Sequence, residues 1–357
     1  MSGHLRVGIV NDMPIALEAI RRVVSSRQEY RVAWTATDGA QAIARCRDNR
    51  PDVILMDMIM PGMDGVEATR RIMAESACPI LVVTASVEGN AGRVYEALGA
   101  GALDAVPTPV IGLRGEIGGG ASLLRKLAQV ALLCADERRE SGCASAAVVP
   151  ARPCEGSVIA IGASTGGPKA IATLLSGLPR PVTVPILVVQ HLGSEYVKGL
   201  ATWLSEASGL PSTLVTGHTV LRSGTVFLAA DERHLVCDTG QSVTVVEEPA
   251  NALHRPSVDV LFASLRSVGL SGVAALLTGM GRDGAEGLLA LRRAGWWTIA
   301  QDRESSVVWG MPGEASRLGA ACELLGIGDI PRAIGRALAR CQAEGPRARL
   351  GAAGGTP

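Results

Sequence analysis

Aromatic side chains are scarce in this sequence, and it carries no net charge. Phe, Trp and Tyr make up 3% of the 357 residues, and 34 Lys and Arg are balanced by 34 Asp and Glu. A nucleic-acid-binding protein needs basic side chains for the phosphates and aromatic rings for base stacking. The composition therefore argues against a nucleic-acid partner.

Long apolar runs and closely spaced cysteine pairs are also missing. No run reaches the roughly 18 residues of a membrane-spanning helix, and residues 1–6 lead into a strand-like run without a signal-peptide core. The eight cysteines include no Cys-x-x-Cys pair, which argues for reduced thiols and against a zinc site. We therefore expect a cytoplasmic protein that does not insert into the membrane.

What the sequence has is Val, Ile, Leu and Ala in short runs that alternate with helical patterns. Such aliphatic runs are typical of buried parallel strands. Five alternating strand–helix units favour a doubly wound parallel sheet. The predicted strands cover residues 5–10, 32–36, 53–56, 80–83 and 102–106, and the predicted helices 14–24, 40–47, 66–74, 90–98 and 122–135.

A second alternating series follows residues 136–155, which have no periodicity and are predicted to be a linker. It predicts a second doubly wound, mostly parallel α/β domain containing one hairpin. The predicted domain limits are 1–125, 126–155 for the helix end and linker, 156–343, and 344–357 for a disordered tail. The predicted strands are 158–161, 186–189, 225–229, 273–277 and 298–300, the hairpin pairs 234–237 with 242–246, and a last helix covers 331–341.

In the first series, carboxylates and hydroxyls follow the strands. Functional groups gather beyond the carboxyl ends of an open parallel sheet, and here these groups are Asp12, Asp57, Thr84 and Thr108. Asp12 and Asp57 can share Mg²⁺, which prefers carboxylate oxygens, and a carboxylate beside a metal can accept a phosphoryl group. The alternative is that Asp57 only caps the turn that follows it.

The runs at 7–12, 53–65 and 82–85 resemble a two-component receiver domain. The resemblance covers residues 5–125 and implies a flavodoxin-like (βα)5 fold. It also implies Asp57 as the phosphoacceptor, Asp12 and Asp57 as Mg²⁺ ligands, and Thr84 as the switch hydroxyl. Two positions depart from the pattern. Asn11 stands where receivers usually have a second acidic residue, and Thr108 stands where they have a Lys that pairs with the phosphoryl group.

In the second series, Gly162-Ala-Ser164-Thr-Gly166 matches G-x-S-x-G where a predicted strand turns into a helix. His191 follows the next strand, and Asp283 follows the strand at 273–277. The three side chains therefore lie at one edge of the sheet, as a nucleophile, its base and an orienting carboxylate require. The alternative is that Asp283 caps a helix and His191 is an ordinary loop residue.

Three other histidines are weaker candidates for the base. His218 follows no clear strand end, and His234 lies in the predicted hairpin. His254 suits a substrate groove better, together with Arg255. The backbone amides of Thr165 and Met280 are candidates for an oxyanion hole.

Four motifs resemble the CheB family of chemoreceptor methylesterases. They are Gly-Ala-Ser-Thr-Gly-Gly-Pro at 162–168, Gln-His at 190–191, His-Arg-Pro-Ser-Val-Asp at 254–259 and Leu-Thr-Gly-Met-Gly-Arg-Asp-Gly-Ala at 277–285. With the receiver, the resemblance spans nearly the whole chain. The run at 8–14 and the Thr-Pro at 108–109 are most similar to the WspF branch, whose array controls cyclic-di-GMP synthesis.

This resemblance implies a phosphorylation-regulated hydrolase with Ser164, His191 and Asp283 as its catalytic residues. It would remove methyl groups from glutamate methyl esters of a methyl-accepting chemoreceptor and deamidate receptor glutamines. A CheA-type histidine kinase would be the phosphodonor, with Mg²⁺ in the receiver and no cofactor in the catalytic domain. Two other classes stay open. One is a phosphoaccepting regulator with an inactive hydrolase domain, and the other is a transcriptional regulator, which the neutral charge disfavours.

Overall fold

The two alternating series fold into two parallel sheets in the computed structural model. The structure describes residues 4–84, 91–112, 116–136, 157–250 and 252–343. The chain divides into two units, Met1–Gly142 and Cys143–Pro357. The predicted linker beyond Asp136 and the predicted tail lie outside the described residues.

The first unit is built on a five-stranded parallel sheet in the order β2-β1-β3-β4-β5. The predicted doubly wound α/β fold is therefore confirmed for this unit. A short hairpin, β6 with β7, was not predicted. The elements are β1 (Leu5–Val10), α1 (Pro14–Ser25), β2 (Tyr30–Ala36), α2 (Gly39–Asp48), β3 (Val53–Met56), α3 (Gly65–Ser76), β4 (Ile80–Thr84), α4 (Ala91–Ala100), β5 (Asp104–Pro107), β6 (Val110–Ile111), β7 (Ile117–Gly118) and α5 (Gly120–Asp136).

Helix α1 shows how the sequence determines these elements. Pro14 occupies the first turn, where its missing N–H leaves no hydrogen bond unmade. Ala19, Ile20, Val23 and Val24 repeat at helical spacing and are all buried. Ile20, Val23 and Val24 pack with the aliphatic side chains of β1 and β3 in one hydrophobic core.

The second unit contains a seven-stranded parallel sheet in the order β10-β12-β9-β8-β15-β16-β17 and a three-stranded antiparallel sheet, β11-β14-β13, that includes the predicted hairpin. The predicted second α/β domain is therefore confirmed. The elements are β8 (Ser157–Ala163), α6 (Gly167–Gly177), β9 (Ile186–Gln190), α7 (Ser194–Ser208), β10 (Ser212–Val215), β11 (Thr219–Val220), β12 (Val226–Ala229), β13 (His234–Thr239), β14 (Ser242–Val246), α8 (Val258–Ser267), β15 (Ser271–Leu276), α9 (Ala285–Arg293), β16 (Trp297–Gln301), α10 (Met311–Arg317), β17 (Glu323–Leu325) and α11 (Ile330–Ala343).

The register of the central strands decides where the catalytic candidates emerge. Ala163 at the end of β8 pairs with Gln190 of β9, and Gly162 pairs with Leu276 of β15. The loops that follow these neighbouring strands therefore leave the sheet at the same level.

Among the described helices, none combines the length and the apolar composition that crossing a bilayer requires.

Candidate functional site

Ser164 lies in a tight turn between β8 and α6, where three neighbours hold its backbone. Its amide donates to the carbonyl of Thr278 at 3.0 Å. Its carbonyl accepts from the side-chain amide of Gln190 and from the amide of Gly167, both at 2.8 Å. The residue is 8% exposed. These three bonds hold the backbone of Ser164 just beyond the carboxyl end of β8.

His191 and Asp283 are joined directly. The Nε2 atom of His191 lies 2.8 Å from Oδ2 of Asp283. The other ring nitrogen, Nδ1, is buried and has no hydrogen-bond partner among the described residues. Because a neutral imidazole carries one proton, the carboxylate holds it on Nε2 and leaves the lone pair on Nδ1. Nδ1 is therefore the nitrogen with a lone pair that can accept a proton, and in the structure the Ser164 hydroxyl makes no hydrogen bond to it.

Asp283 accepts hydrogen bonds at both carboxylate oxygens. Oδ1 receives the Ser257 hydroxyl at 2.8 Å and the Asp259 amide at 3.1 Å. Oδ2 receives the Val258 amide at 2.7 Å in addition to His191. Burial opposes the charged form, but the His191 ring, the Val258 amide and the Ser257 hydroxyl together hold the pKa of Asp283 well below its ordinary value. The carboxylate is therefore charged at neutral pH.

The candidate oxyanion donors are two backbone amides near Ser164, those of Thr165 and Met280. Among the described residues, none accepts a hydrogen bond from the amide of Thr165 or of Met280. Gly279 packs directly against the nucleophile, since a Cβ built on it would lie 2.7 Å from the Ser164 Cβ. The Met280 amide follows Gly279 directly in the chain, so both amides stay candidates for the oxyanion hole.

In the first unit, Asp57 follows β3 and makes two side-chain hydrogen bonds. Its Oδ1 accepts from the Met58 amide at 2.7 Å, and its Oδ2 accepts from the Asn11 side-chain amide at 2.9 Å. Burial, opposed by backbone amides and reinforced by the charge of Asp12, raises the pKa of Asp57 to about 6. Thr84 is the last residue of β4, Thr108 follows β5, and both are buried.

Comparison with known proteins places both units in described families. The response regulator receiver domain model matches residues 7–111, and the CheB methylesterase model matches residues 159–334. A protein-glutamate methylesterase/protein-glutamine glutaminase of Pseudomonas putida is 44% identical over 321 residues, covering 90% of this chain and 95% of that protein. The chain belongs to the CheB methylesterase family.

A second relative and a solved structure are also similar to this chain. A protein-glutamate methylesterase/protein-glutamine glutaminase of Mesorhizobium japonicum is 46% identical over 334 residues, covering 91% of this chain and 96% of that protein. The crystal structure of the Thermotoga maritima CheB methylesterase catalytic domain is 30% identical, with a TM-score of 0.48, and covers 51% of this chain and 98% of its own. The two family models and the two relatives confirm the resemblance to a hydrolase with a response regulator receiver, whereas the WspF-like branch stays a prediction.

The predicted groove residues of this CheB-family site take different positions. The ring of His254 stacks on the ring of His191, with centroids 4.3 Å apart and planes 12° from parallel. Arg255 is exposed and donates to the carbonyl of Ala250 in its own loop. His254 is therefore part of the immediate surroundings of the base, while Arg255 supports the loop that carries it.

Three further residues of the CheB-family site lie in the motifs that resemble the family, but sequence reasoning assigned them no role. Gln190 bridges the carbonyls of Ser164 and His191 with its side-chain amide. Thr278 bonds the carbonyl of Thr165 and accepts from the Val308 amide. Ser257 donates to Asp283 and caps α8. Only Ser257 had a sequence signature of its role, because it precedes apolar residues at helical spacing, as an N-cap does.

Gly166 gives a direct test of how tightly the nucleophile turn is built. Its φ is +75°, and a Cβ there would lie 2.7 Å from the Cβ of Val307. Gly166→Ala should therefore lower the free energy of unfolding by about 1–2 kcal/mol from backbone strain alone. It should also lower esterase kcat at least tenfold, since relieving the clash moves Ser164. Urea unfolding and steady-state kinetics measure the two effects.

Gly209→Ala is the matched control for Gly166→Ala. Gly209 has a φ of +68° at the end of α7, and a Cβ there would meet nothing within 4 Å. We expect a similar loss of stability with unchanged kcat. Equal kcat in Gly166→Ala and wild type would show that the turn does not position Ser164.

Proposed function

We propose that this chain hydrolyses glutamate methyl esters on a methyl-accepting chemoreceptor and deamidates receptor glutamines. The observation that carries the proposal is the hydrogen bond between His191 and Asp283, which leaves an unpartnered Nδ1 for the nucleophile Ser164. The Pseudomonas and Mesorhizobium relatives are named as protein-glutamate methylesterases/protein-glutamine glutaminases, which supports the substrate class.

In the proposed mechanism, the Ser164 hydroxyl attacks the ester carbonyl and its proton passes to Nδ1 of His191. Asp283 stabilises the imidazolium that forms, and the amides of Thr165 and Met280 stabilise the tetrahedral oxyanion. When the intermediate collapses, the C–O bond to the methoxy group breaks and Nδ1 returns the proton, so methanol leaves. Water then attacks the acyl-serine with the same base, which frees the glutamate carboxyl and restores Ser164.

The same steps account for deamidation of glutamine. The tetrahedral intermediate then expels ammonia, which needs the proton from His191 even more than methoxide does because an amide anion is a poorer leaving group. Hydrolysis of the acyl-serine gives the same glutamate product. Since only the leaving group differs, one site can serve both reactions.

The direct test is release of methanol from a receptor carrying radiolabelled methyl esters. The wild-type chain should release labelled methanol and leave free glutamate side chains, which mass spectrometry of the receptor peptides identifies. Receptor incubated without the protein measures spontaneous hydrolysis. Methanol release no faster than in that control, from a folded protein, would overturn the proposed activity.

We further propose that a CheA-type histidine kinase phosphorylates Asp57 in the receiver. Two carboxylates, Asp57 and Asp12, lie close enough for the charge of one to raise the pKa of the other. Oxygen donors of this kind suit Mg²⁺, which often uses one or two carboxylates and fills its remaining positions with water and phosphate. Mg²⁺ would neutralise charge on the incoming phosphoryl group. On its resemblance to the WspF branch, the chain would act in the cytoplasm on an array that controls cyclic-di-GMP synthesis.

Mg²⁺ should stabilise the receiver, and more so at high pH. Since the pKa of Asp57 is raised to about 6 in the folded chain, its charged form destabilises the fold, and stability falls as pH rises from about 4 to above 6. At pH 7.5 the charged pair should bind Mg²⁺ and raise the unfolding temperature by about 2–5 °C. At pH 5 protonated Asp57 competes, so calorimetry should show a smaller rise. An equal rise in Asp57→Ala would exclude this site.

A small acyl phosphate should activate the esterase through Asp57. Coupling between sites is typically about 5–150-fold, and we expect the low end because Thr108 offers the phosphoryl group no cationic contact. Thr108→Lys should increase the activation by supplying that contact. Methanol release is measured with and without phosphodonor in wild type, Thr108→Lys and Asp57→Ala. If Asp57→Ala responds as wild type does, Asp57 is not the switch.

A further inference from the structure

His234 is a second histidine connected to the candidate catalytic site, through hydrogen bonds that lead to Asp283. It begins β13 in the three-stranded sheet and is 0% exposed. Its Nδ1 accepts a hydrogen bond from the backbone amide of Ser257 at 3.1 Å. The proposed mechanism makes no use of this side chain.

Ser257 carries the connection onward to the catalytic carboxylate. The hydroxyl of Ser257 donates to Oδ1 of Asp283 at 2.8 Å, and the next amide, of Val258, donates to Oδ2 at 2.7 Å. Oδ2 is also the oxygen that bonds Nε2 of His191. Direct hydrogen bonds therefore run from His234 through Ser257 and Asp283 to His191.

The direction of the first bond fixes the state of His234. An imidazole nitrogen that accepts an amide N–H carries no proton, so the neutral ring of His234 has its proton on Nε2, a buried atom with no hydrogen-bond partner among the described residues. Burial lowers the pKa of His234, which favours the same state. A side chain without an acceptor at this position would leave the buried amide of Ser257 unpaired, and such groups are costly. The peptide at Ser257 would then turn to find another partner.

We propose that His234 is a positioning residue of the esterase, which acts by fixing the peptide at Ser257 and through it the carboxylate of Asp283. It does not contact the reacting atoms, so it is not a catalytic residue. Ser257 follows the peptide that His234 holds, and its hydroxyl and the amide of the next residue, Val258, are two of the donors on Asp283. A turn of this peptide therefore changes the position of the carboxylate that holds the proton on Nε2 of His191. This inference rests on the proposed esterase function.

The test compares His234→Leu with His234→Asn in the full chain. Leu fills similar space without an acceptor, whereas the Asn side-chain oxygen can take the place of Nδ1. We expect kcat for methanol release to fall about tenfold to a hundredfold in His234→Leu. His234→Asn should stay within about threefold of wild type. KM should not change in either variant, because His234 lies away from the substrate.

Proton NMR distinguishes a positioning residue from one that only stabilises the fold. The proton between His191 and Asp283 should give a low-field resonance in wild type and in His234→Asn. It should shift or disappear in His234→Leu. Wild-type kcat together with an unshifted resonance in folded His234→Leu would overturn the proposal.

A second pair of variants covers the case in which His234→Leu does not fold. Gln is a polar amide like Asn, but its side chain is longer. Its amide group therefore lies at the position of Nε2 of the histidine and not at that of Nδ1. His234→Asn should therefore exceed His234→Gln in kcat by at least about tenfold, and equal values would overturn the proposal. If the wild-type chain releases no methanol, the proposed esterase function is wrong, whatever the role of His234. The rate at which a fluorophosphonate labels Ser164, together with the NMR resonance, still decides the role of His234.

Discussion

Ser164→Ala should lower methanol release from methylated receptor by several orders of magnitude. Removing the nucleophile of a comparable serine hydrolase lowers kcat on the order of a million-fold. The backbone of Ser164 is held by Thr278, Gln190 and Gly167, and none of these bonds uses the hydroxyl. The fold should therefore survive, and the loss should appear in kcat. Steady-state methanol release and circular dichroism measure activity and folding.

Ser176→Ala is the matched control for Ser164→Ala. Ser176 lies on α6, the helix that follows the nucleophile, and its hydroxyl bonds the carbonyls of Ala172 and Ala207. Ser176→Ala also removes one serine hydroxyl, but at the far end of α6 from Ser164. We therefore expect kcat to equal that of wild type. More than a tenth of wild-type activity in folded Ser164→Ala would exclude Ser164 as the nucleophile.

Much of the fold was predictable because both sheets are parallel and buried. Aliphatic runs such as β3 and β9 are bounded by polar residues, and helices such as α1 show clear periodicity. The predictions omitted α8, although Val258, Leu261, Phe262 and Leu265 are buried at helical spacing after the N-cap Ser257. Short strands at the sheet edges, such as β10 and β17, were also missed. Three or four residues carry too little pattern to distinguish a strand from a loop.

The candidate catalytic residues were predictable for a geometric reason. Residues that follow neighbouring parallel strands leave the sheet together, and the register of β8 with β9 and β15 brings His191 and Asp283 into hydrogen-bond contact. The sequence could not say which ring nitrogen of His191 meets the carboxylate. That choice depends on side-chain torsions and on the direction from which Asp283 arrives, neither of which has a sequence pattern.

The support behind the catalytic residues was also hidden from the sequence. His234 and Ser257 are separated by 23 positions, and the contact between them joins the antiparallel sheet to the start of α8. From the sequence, His234 was only a weak candidate for the base. Its role depends on a loop conformation that places one backbone amide against one ring nitrogen. Motifs identify residues with reactive groups but not the backbone groups that orient them.

After Ser164, Asp283 is the residue whose single-atom substitution is expected to lower kcat most. Each of its oxygens is surrounded by donors, namely Ser257 and Asp259 at Oδ1 and Val258 and His191 at Oδ2. A carboxylate accepts from all four, whereas an amide has one oxygen and an NH₂ group that can only donate. In either orientation, the NH₂ group of Asn at this position would therefore face donors from which a carboxylate oxygen accepts.

Asp283→Asn should lower kcat for methanol release by about 10⁴-fold, as the equivalent change does in a serine protease. If the NH₂ group faces His191, the ring must present a lone pair at Nε2 and carry its proton on Nδ1, where it cannot accept from Ser164. If the oxygen faces His191, the NH₂ group opposes the Ser257 hydroxyl and the Asp259 amide, and the loop shifts. Asp231→Asn, on an exposed turn where Asn tolerates the positive φ of 61°, is the control and should keep wild-type kcat. A loss of less than about tenfold in folded Asp283→Asn would show that Asp283 does not fix the proton of His191.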